Sequence, residues 1–203
     1  MRAAANRSLN FLIAIETRDG VRGGAMKQVL IFVILTIVLG LSACSHPNLF
    51  PSEVMEGVDP NFDFSRWRMV PNQALERKIQ LGGSILQSER KDGNLTIVAK
   101  QLPIVEHPAY GPKDTGKMSG EFAITFQGPI EPPFLQRGNR VIVVGTTKAP
   151  SVVLVDDLPR NLPTVSAKCV HVWNTEGRDI ADFQSFGAGY ETLPEDTFCT
   201  KAQ

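Results

Sequence analysis

This 203-residue chain has no internal repeat, no lysine- or arginine-rich run and no helical apolar period sustained beyond about two turns. The missing basic run removes the electrostatic footprint of a nucleic-acid binder, so no nucleic-acid partner is expected. Histidine is scarce, at three residues, and no serine sits in a nucleophile-elbow pattern, which leaves a hydrolase without its usual parts. Gly82-Gly83 is followed by no lysine-serine pair, so it is not a phosphate loop. Cysteine is limited to three residues, Cys44, Cys169 and Cys199.

What stands out is one uncharged apolar run, Val29 to Leu41, flanked by Lys27 and closed by Leu41-Ser42-Ala43-Cys44. Basic flank, apolar stretch and small residues before a cut form the layout of a secretory signal peptide. Its 13 residues fall short of the roughly 20 that a bilayer-spanning helix needs. No second hydrophobic span follows. The closing tetrapeptide matches the lipobox pattern, which implies cleavage between Ala43 and Cys44. A diacylglycerol thioether and an N-acyl chain on Cys44 would follow. No other cofactor is expected. Each buried methylene contributes ~0.8 kcal/mol, so several acyl chains make a lasting anchor. Residues 26–43 are therefore read as the signal peptide, and 1–25 as an over-extended start ahead of Met26-Lys27. Ser45, rather than aspartate, follows the cysteine, which favours the periplasmic leaflet of the outer membrane.

Cleavage would leave 160 residues, enough for one domain with its own core. Five cations and two acids precede Cys44, so 16 lysines and arginines then face 19 acids. Residues 44–63, with three prolines in SHPNLFPSEVMEGVDPNFD, read as a lipidated tether. Phe64 to Pro71 is an aromatic-basic patch, and a short helix is expected over Asn72 to Glu76.

Strand signals dominate from Lys78. KIQLGGSILQS (Lys78–Ser88) alternates around Gly82-Gly83, where a bulge or sharp bend is expected. Asp92-Gly93 marks a hairpin turn, and Leu95–Leu102 its returning strand. Gly120–Gln127 alternates Phe122, Ile124 and Phe126 on one face. Arg140–Thr147 reads as a strand buried on both sides, with Ser151–Val155 as its hairpin partner. Val165–Trp173 is the last clear strand, and 176–203 reads as an irregular tail. The fold class is thus mainly β, a small OB-like barrel over 64–175, with a β-sandwich as the other arrangement.

Several landmarks occur in order. They are Pro71; Ile79-Gln80-Leu81-Gly82-Gly83-Ser84-Ile85; Leu95-Thr96-Ile97 through Leu102-Pro103-Ile104; and Gly120-Glu121-Phe122. Gly138-Asn139-Arg140-Val141-Ile142-Val143-Val144-Gly145 and Val170-His171-Val172-Trp173 complete the set. In this order and spacing the chain resembles the Slp family of outer-membrane lipoproteins, the starvation-inducible group, from the lipobox to about Trp173. Leu81 stands where the family favours tryptophan, Glu121 where it favours arginine, and Glu131-Pro132-Pro133 where it has leucine-aspartate-proline. The resemblance implies an envelope lipoprotein without an established enzymatic activity; the expected partners are membrane lipid, through the Cys44 anchor, and an envelope protein or glycan.

Three clusters admit local chemistry. Cys169 and Cys199 either form a disulfide, which an exported protein allows, or remain free, partly buried thiols. Cys169, His171 and Trp173 share one strand face by the period of two. Packing is the plain reading, and a metal-binding or enzymatic barrel using Cys169 and His171 the other. Arg66-Trp67-Arg68 is either a domain-edge anchor with solvated arginines or an interface for an anionic headgroup or glycan. Asp156-Asp157, between two strand signals, suits a turn.

Overall fold

The computed structural model describes residues 48–116, 119–178, 180 and 191–200, all within the unit His46–Gln203. Ala43 and Cys44, the signal peptide and the 1–25 segment lie outside the described residues.

Six strands follow two short helices. These are α1 (Ser52–Met55), α2 (Phe64–Met69), β1 (Lys78–Lys91), β2 (Asn94–Leu102), β3 (Glu121–Phe126), β4 (Arg140–Val155), β5 (Leu158–Trp173) and β6 (Glu195–Cys199). The sheet runs β3-β2-β1-β4-β5-β6, and β3 also pairs in parallel with β5 through Ala123 to Thr125. That extra pairing closes five strands into a ring, β1-β2-β3-β5-β4, which is the pairing scheme of the OB architecture. The sixth strand lies outside the ring on the free edge of β5.

Turn chemistry sets both long hairpins. Asp92 and Gly93 carry φ of 50° and 79°, the left-handed pair that a two-residue turn between twisted strands requires. Asp156 and Asp157 do the same between β4 and β5, with φ of 49° and 63°. Aspartate tolerates that region better than most residues. β4 is one continuous strand, where the sequence reading divides it at Thr147. The register steps from Lys148–Thr164 to Ser151–Leu162, so Ala149 and Pro150 bulge opposite a single residue. A bulge leaves one residue out of the ladder, which accommodates a proline without breaking the strand.

The glycine pair of β1 differs from expectation. Gly82 and Gly83 keep register with β2 on one side and β4 on the other, and the bulge falls later, between Ile85 and Gln87. What these positions need is room. A Cβ on Gly82 would stand 2.7 Å from Pro112 Cβ, and one on Gly83 would stand 2.8 Å from the Lys100 carbonyl oxygen.

Inward-facing residues of the ring form the main core. They include Ile79, Leu81 and Ile85 of β1, Leu95 and Ile97 of β2, Phe122, Ile124 and Phe126 of β3, and Val141 and Val143 of β4. Fully burying such side chains contributes about 1.5–3 kcal/mol each. Helix α2 adds Phe64 and Trp67 to the same cluster. It starts where Asp63 accepts a hydrogen bond from the Arg66 N–H, an N-cap. The 3-10 turn Pro71–Ala74 stands where the sequence reading places a helix over 72–76.

A second core covers the outer face. Ile142 and Val144 of β4 and Cys169 and Trp173 of β5 pack with Phe50, Ile180 and Leu193. The segment read as tether therefore docks from Leu49 onward: Phe50 is 4% exposed, and Leu49, Val54, Met55 and Val58 lie against the cluster. Apolar side chains spaced through a proline-rich stretch have found a sheet face to cover. The tail is likewise corrected, because Glu195–Cys199 forms β6, paired from Trp173–Glu195 to Cys169–Cys199. Away from both cores, the β4–β5 hairpin carries exposed Val152, Leu154 and Leu158 at its tip. Among the described residues no helix is long and apolar enough to cross a membrane.

Candidate functional site

Cys169 and Cys199 face each other across β5 and β6, and a disulfide joins them with their Cα atoms 4.1 Å apart. The Cys169 sulfur is therefore no thiolate ligand, which corrects the alternative of a metal or catalytic site built on Cys169 and His171. Two residues along, His171 is 4% exposed. Its Nδ1 lies 2.7 Å from Thr197 Oγ1 and its Nε2 lies 3.5 Å from a Glu195 carboxylate oxygen. The ring packs edge-on against Trp173, with centroids 4.1 Å apart. Burial pushes the His171 pKa down to about 4, against a smaller upward pull from the Asp196 charge. Burial also raises the Glu195 carboxyl, opposed by a hydrogen bond from Trp173. The Thr197 hydroxyl donates in turn to the Leu49 carbonyl at 3.1 Å. This chain of contacts ties the incoming N-terminal segment to β6 and β5. Among the described residues no group of three histidine, cysteine or acidic side chains is placed to hold a metal.

Arg66-Trp67-Arg68 separates by helix geometry. Trp67 is 2% exposed and packs edge-on against Phe62 and Phe64. That corrects the reading of its ring as a surface contact: helix α2 turns it into the core while both arginines face outward. Arg68 lies over Gly120, whose missing Cβ leaves room for it; a Cβ there would meet Arg68 Cδ at 2.5 Å.

Two cavities that share Lys100 open on the barrel surface, the first on the outer face of β1, β2 and β4, where Ser84, Lys100 and Arg140 alternate with the inward Ile85, Ala99 and Val141, and the second beside residues of β1, β2, β3 and β5. The first holds about 290 Å³, and the described residues that line it include Lys100, Arg137, Arg140, Arg178 and Asp114. Arg140 is 6% exposed, and its Nη2 donates to the Ile180 carbonyl at 3.1 Å. Lys100 Nζ lies 3.3 Å from Asp114. The Gly116 N–H holds the Asp114 carboxyl below the usual carboxylate range, helped by Lys100 and Arg140 against partial burial. Arg137 pairs with Asp156 at 3.8 Å, and Arg178 with Glu191 at 3.3 Å and Glu176 at 3.6 Å. The second cavity holds about 430 Å³, shares Lys100, and adds Arg68 and Arg160. There Arg160 Nη1 reaches both oxygens of Glu121, at 3.0 and 2.8 Å. Of these residues the sequence reading put Arg68 alone forward as an interface residue, while Ser84, Glu121 and Arg140 stood only in strand landmarks and Asp156 in a turn. The six cations come from five separated stretches, so no single local motif announces them.

A family model described as the outer membrane lipoprotein Slp family matches residues 41–193 of this chain. No curated protein matches it. One similar solved structure is a crystal structure of TiaS in complex with an isoleucine tRNA, AMPCPP and agmatine, at 11% identity and a TM-score of 0.25. It spans 63% of this chain and 28% of that one, and at this level it carries no argument about fold or function.

Proposed function

The chain belongs to the Slp family of outer membrane lipoproteins, and on that premise we propose a non-catalytic, stress-associated envelope component. Its mature form begins at Cys44 and is held on the periplasmic leaflet of the outer membrane by the acyl chains of that residue. The domain then acts as a tethered binding module for an envelope protein or glycan. The observation that carries this reading is where the family match begins. Residue 41 is the first position of the lipobox tetrapeptide, so lipobox and barrel are matched as one unit. The Cys169–Cys199 disulfide adds support, because such bonds persist in oxidising compartments such as the periplasm.

Labelled palmitate followed by membrane fractionation tests the anchor. Wild type is expected to incorporate label and sediment with outer membrane, and Cys44→Ser to do neither. Ser45→Asp is expected to shift the protein to the inner membrane. Protease added to intact cells and to spheroplasts assigns the leaflet, with cleavage expected only after the outer membrane is opened. Mass spectrometry showing an intact leader or an unmodified Cys44 would overturn the proposal. In vivo crosslinking in the native membrane identifies the partner.

A further inference from the structure

We infer that the cavity where β3 and β5 diverge, beside Arg68, is a binding site for a small amphipathic monocarboxylate, an acid with one carboxylate on an apolar body. The divergence follows from the pairing. The parallel seam that closes the ring begins at Ala123 with Thr164 and runs to Thr125 with Ser166. Glu121 of β3 and Arg160 to Pro163 of β5 lie ahead of it, and Pro163 has no N–H to offer a ladder. Instead β5 turns outward: Leu162 and Val155 pack with Val98 and Ala123, which stand between the inward residues of β2 and β3. The β4–β5 hairpin thus crosses the outer face of those strands. The cavity of about 430 Å³ beside it has a size usual for small-molecule pockets.

Arg68 supplies the charge that recognises the acid. A Cβ on Gly120 would stand 2.5 Å from its Cδ, 3.0 Å from its Nε and 3.1 Å from its Nη1, so the side chain lies in a notch that only glycine leaves open. Trp67, buried in the core, fixes the helix from which it rises. The other cations among the described lining residues already face acids. Arg160 Nη1 reaches both oxygens of Glu121, and Lys100 Nζ lies 3.3 Å from Asp114. Arg68 makes no hydrogen bond or ion pair with any described residue. A guanidinium donates two parallel N–H bonds to a carboxylate, and this one can do so without breaking an existing pair. A second negative charge on the ligand would stand near the Glu121 and Asp114 carboxylates, which favours a monoanion.

The floor selects the rest of the ligand. Leu86 and Leu162 line the cavity and pack in the apolar cluster beneath the hairpin, and buried Pro163 follows Leu162. A surface of this kind favours hydrocarbon over hydroxyl groups. Among the described lining residues no aromatic ring offers a platform for a sugar face. The assignment is independent of the anchoring and of the envelope partner proposed above.

The test uses the protein as cells produce it, in phosphatidylcholine nanodiscs where it carries an anchor and in buffer where it does not. Amide NMR at Gly120, Asn161 and Leu162 follows titration with octanoate at neutral pH, where the acid is ionised. Acetate, 1-octanol, glucuronate and inorganic phosphate are titrated in parallel. Octanoate is expected to give saturable shifts at all three amides, and each of the other four to bind at least tenfold more weakly. Arg68→Gln is expected to weaken octanoate at least fivefold and Arg68→Lys by less. Arg66→Gln, on the exposed face of the same helix, is expected to leave binding unchanged. Absence of saturable octanoate shifts overturns the inference, as does an Arg68→Gln variant that binds like wild type. Binding of 1-octanol as tight as octanoate would remove the carboxylate from the assignment and overturn it. Acetate, glucuronate or phosphate binding as tightly would overturn it by removing the apolar body.

Discussion

Among single residues His171 carries the clearest pH signature. Its folded pKa of about 4 lies below the ordinary value of 6.5, because burial penalises the charged ring. Above pH 6.5 the ring is neutral in both states. As pH falls from 6.5 toward 4 the unfolded chain takes up a proton that the folded chain refuses, and stability declines. Below about 4 both forms are protonated and this contribution stops changing. The full loss is on the order of 3 kcal/mol. Glu195 works in the opposite sense: its raised pKa lets the folded state take up a proton on acidification, which softens the decline. His171→Gln, which can keep a hydrogen bond to Thr197, is expected to flatten the decline between pH 6.5 and 4 in thermal melts. Trp67 and Arg66 make a second contrast on one helix. Trp67→Ala empties a fully packed position and is expected to cost about 3–5 kcal/mol. Arg66→Ala, on the exposed face, should stay within about 0.5 kcal/mol in denaturant titration.

The elements divide by how strongly each depends on local pattern. β1, β2 and β3 are legible because their inward positions alternate cleanly and Asp92-Gly93 marks the reversal. β4 reads as two pieces because Pro150 is an ordinary strand breaker; only the partner strand reveals the bulge that accommodates it. β6 is invisible in sequence. Glu195, Asp196 and Thr197 are polar, and none of its five residues is buried, as befits an edge strand. Helix α2 is too short to show a period, although Asp63 is a recognisable cap. The outer core was hidden for a different reason: a prolyl stretch looks like a linker until a sheet face is there to receive Phe50. The disulfide is what makes β6 durable. Cys199→Ser is expected to cost about 2–4 kcal/mol, read as a lower melting temperature that reductant reproduces in the wild type.

For the molecule as a whole, the ring closure could be anticipated as an OB-like barrel, while the first cavity could not. Its cations become neighbours only when β1, β2, β4 and two loops are brought together. The same topology gives the domain two unlike ends. Leu49 enters beside Thr197, opposite His171 near the close of β5, whereas the Asp156-Asp157 turn lies at its beginning. Thirteen residues of strand separate the two points, about 40 Å along the chain. Val152, Leu154 and Leu158 at the β4–β5 hairpin tip are thus exposed at the opposite end of β5 from the point where the N-terminal segment enters.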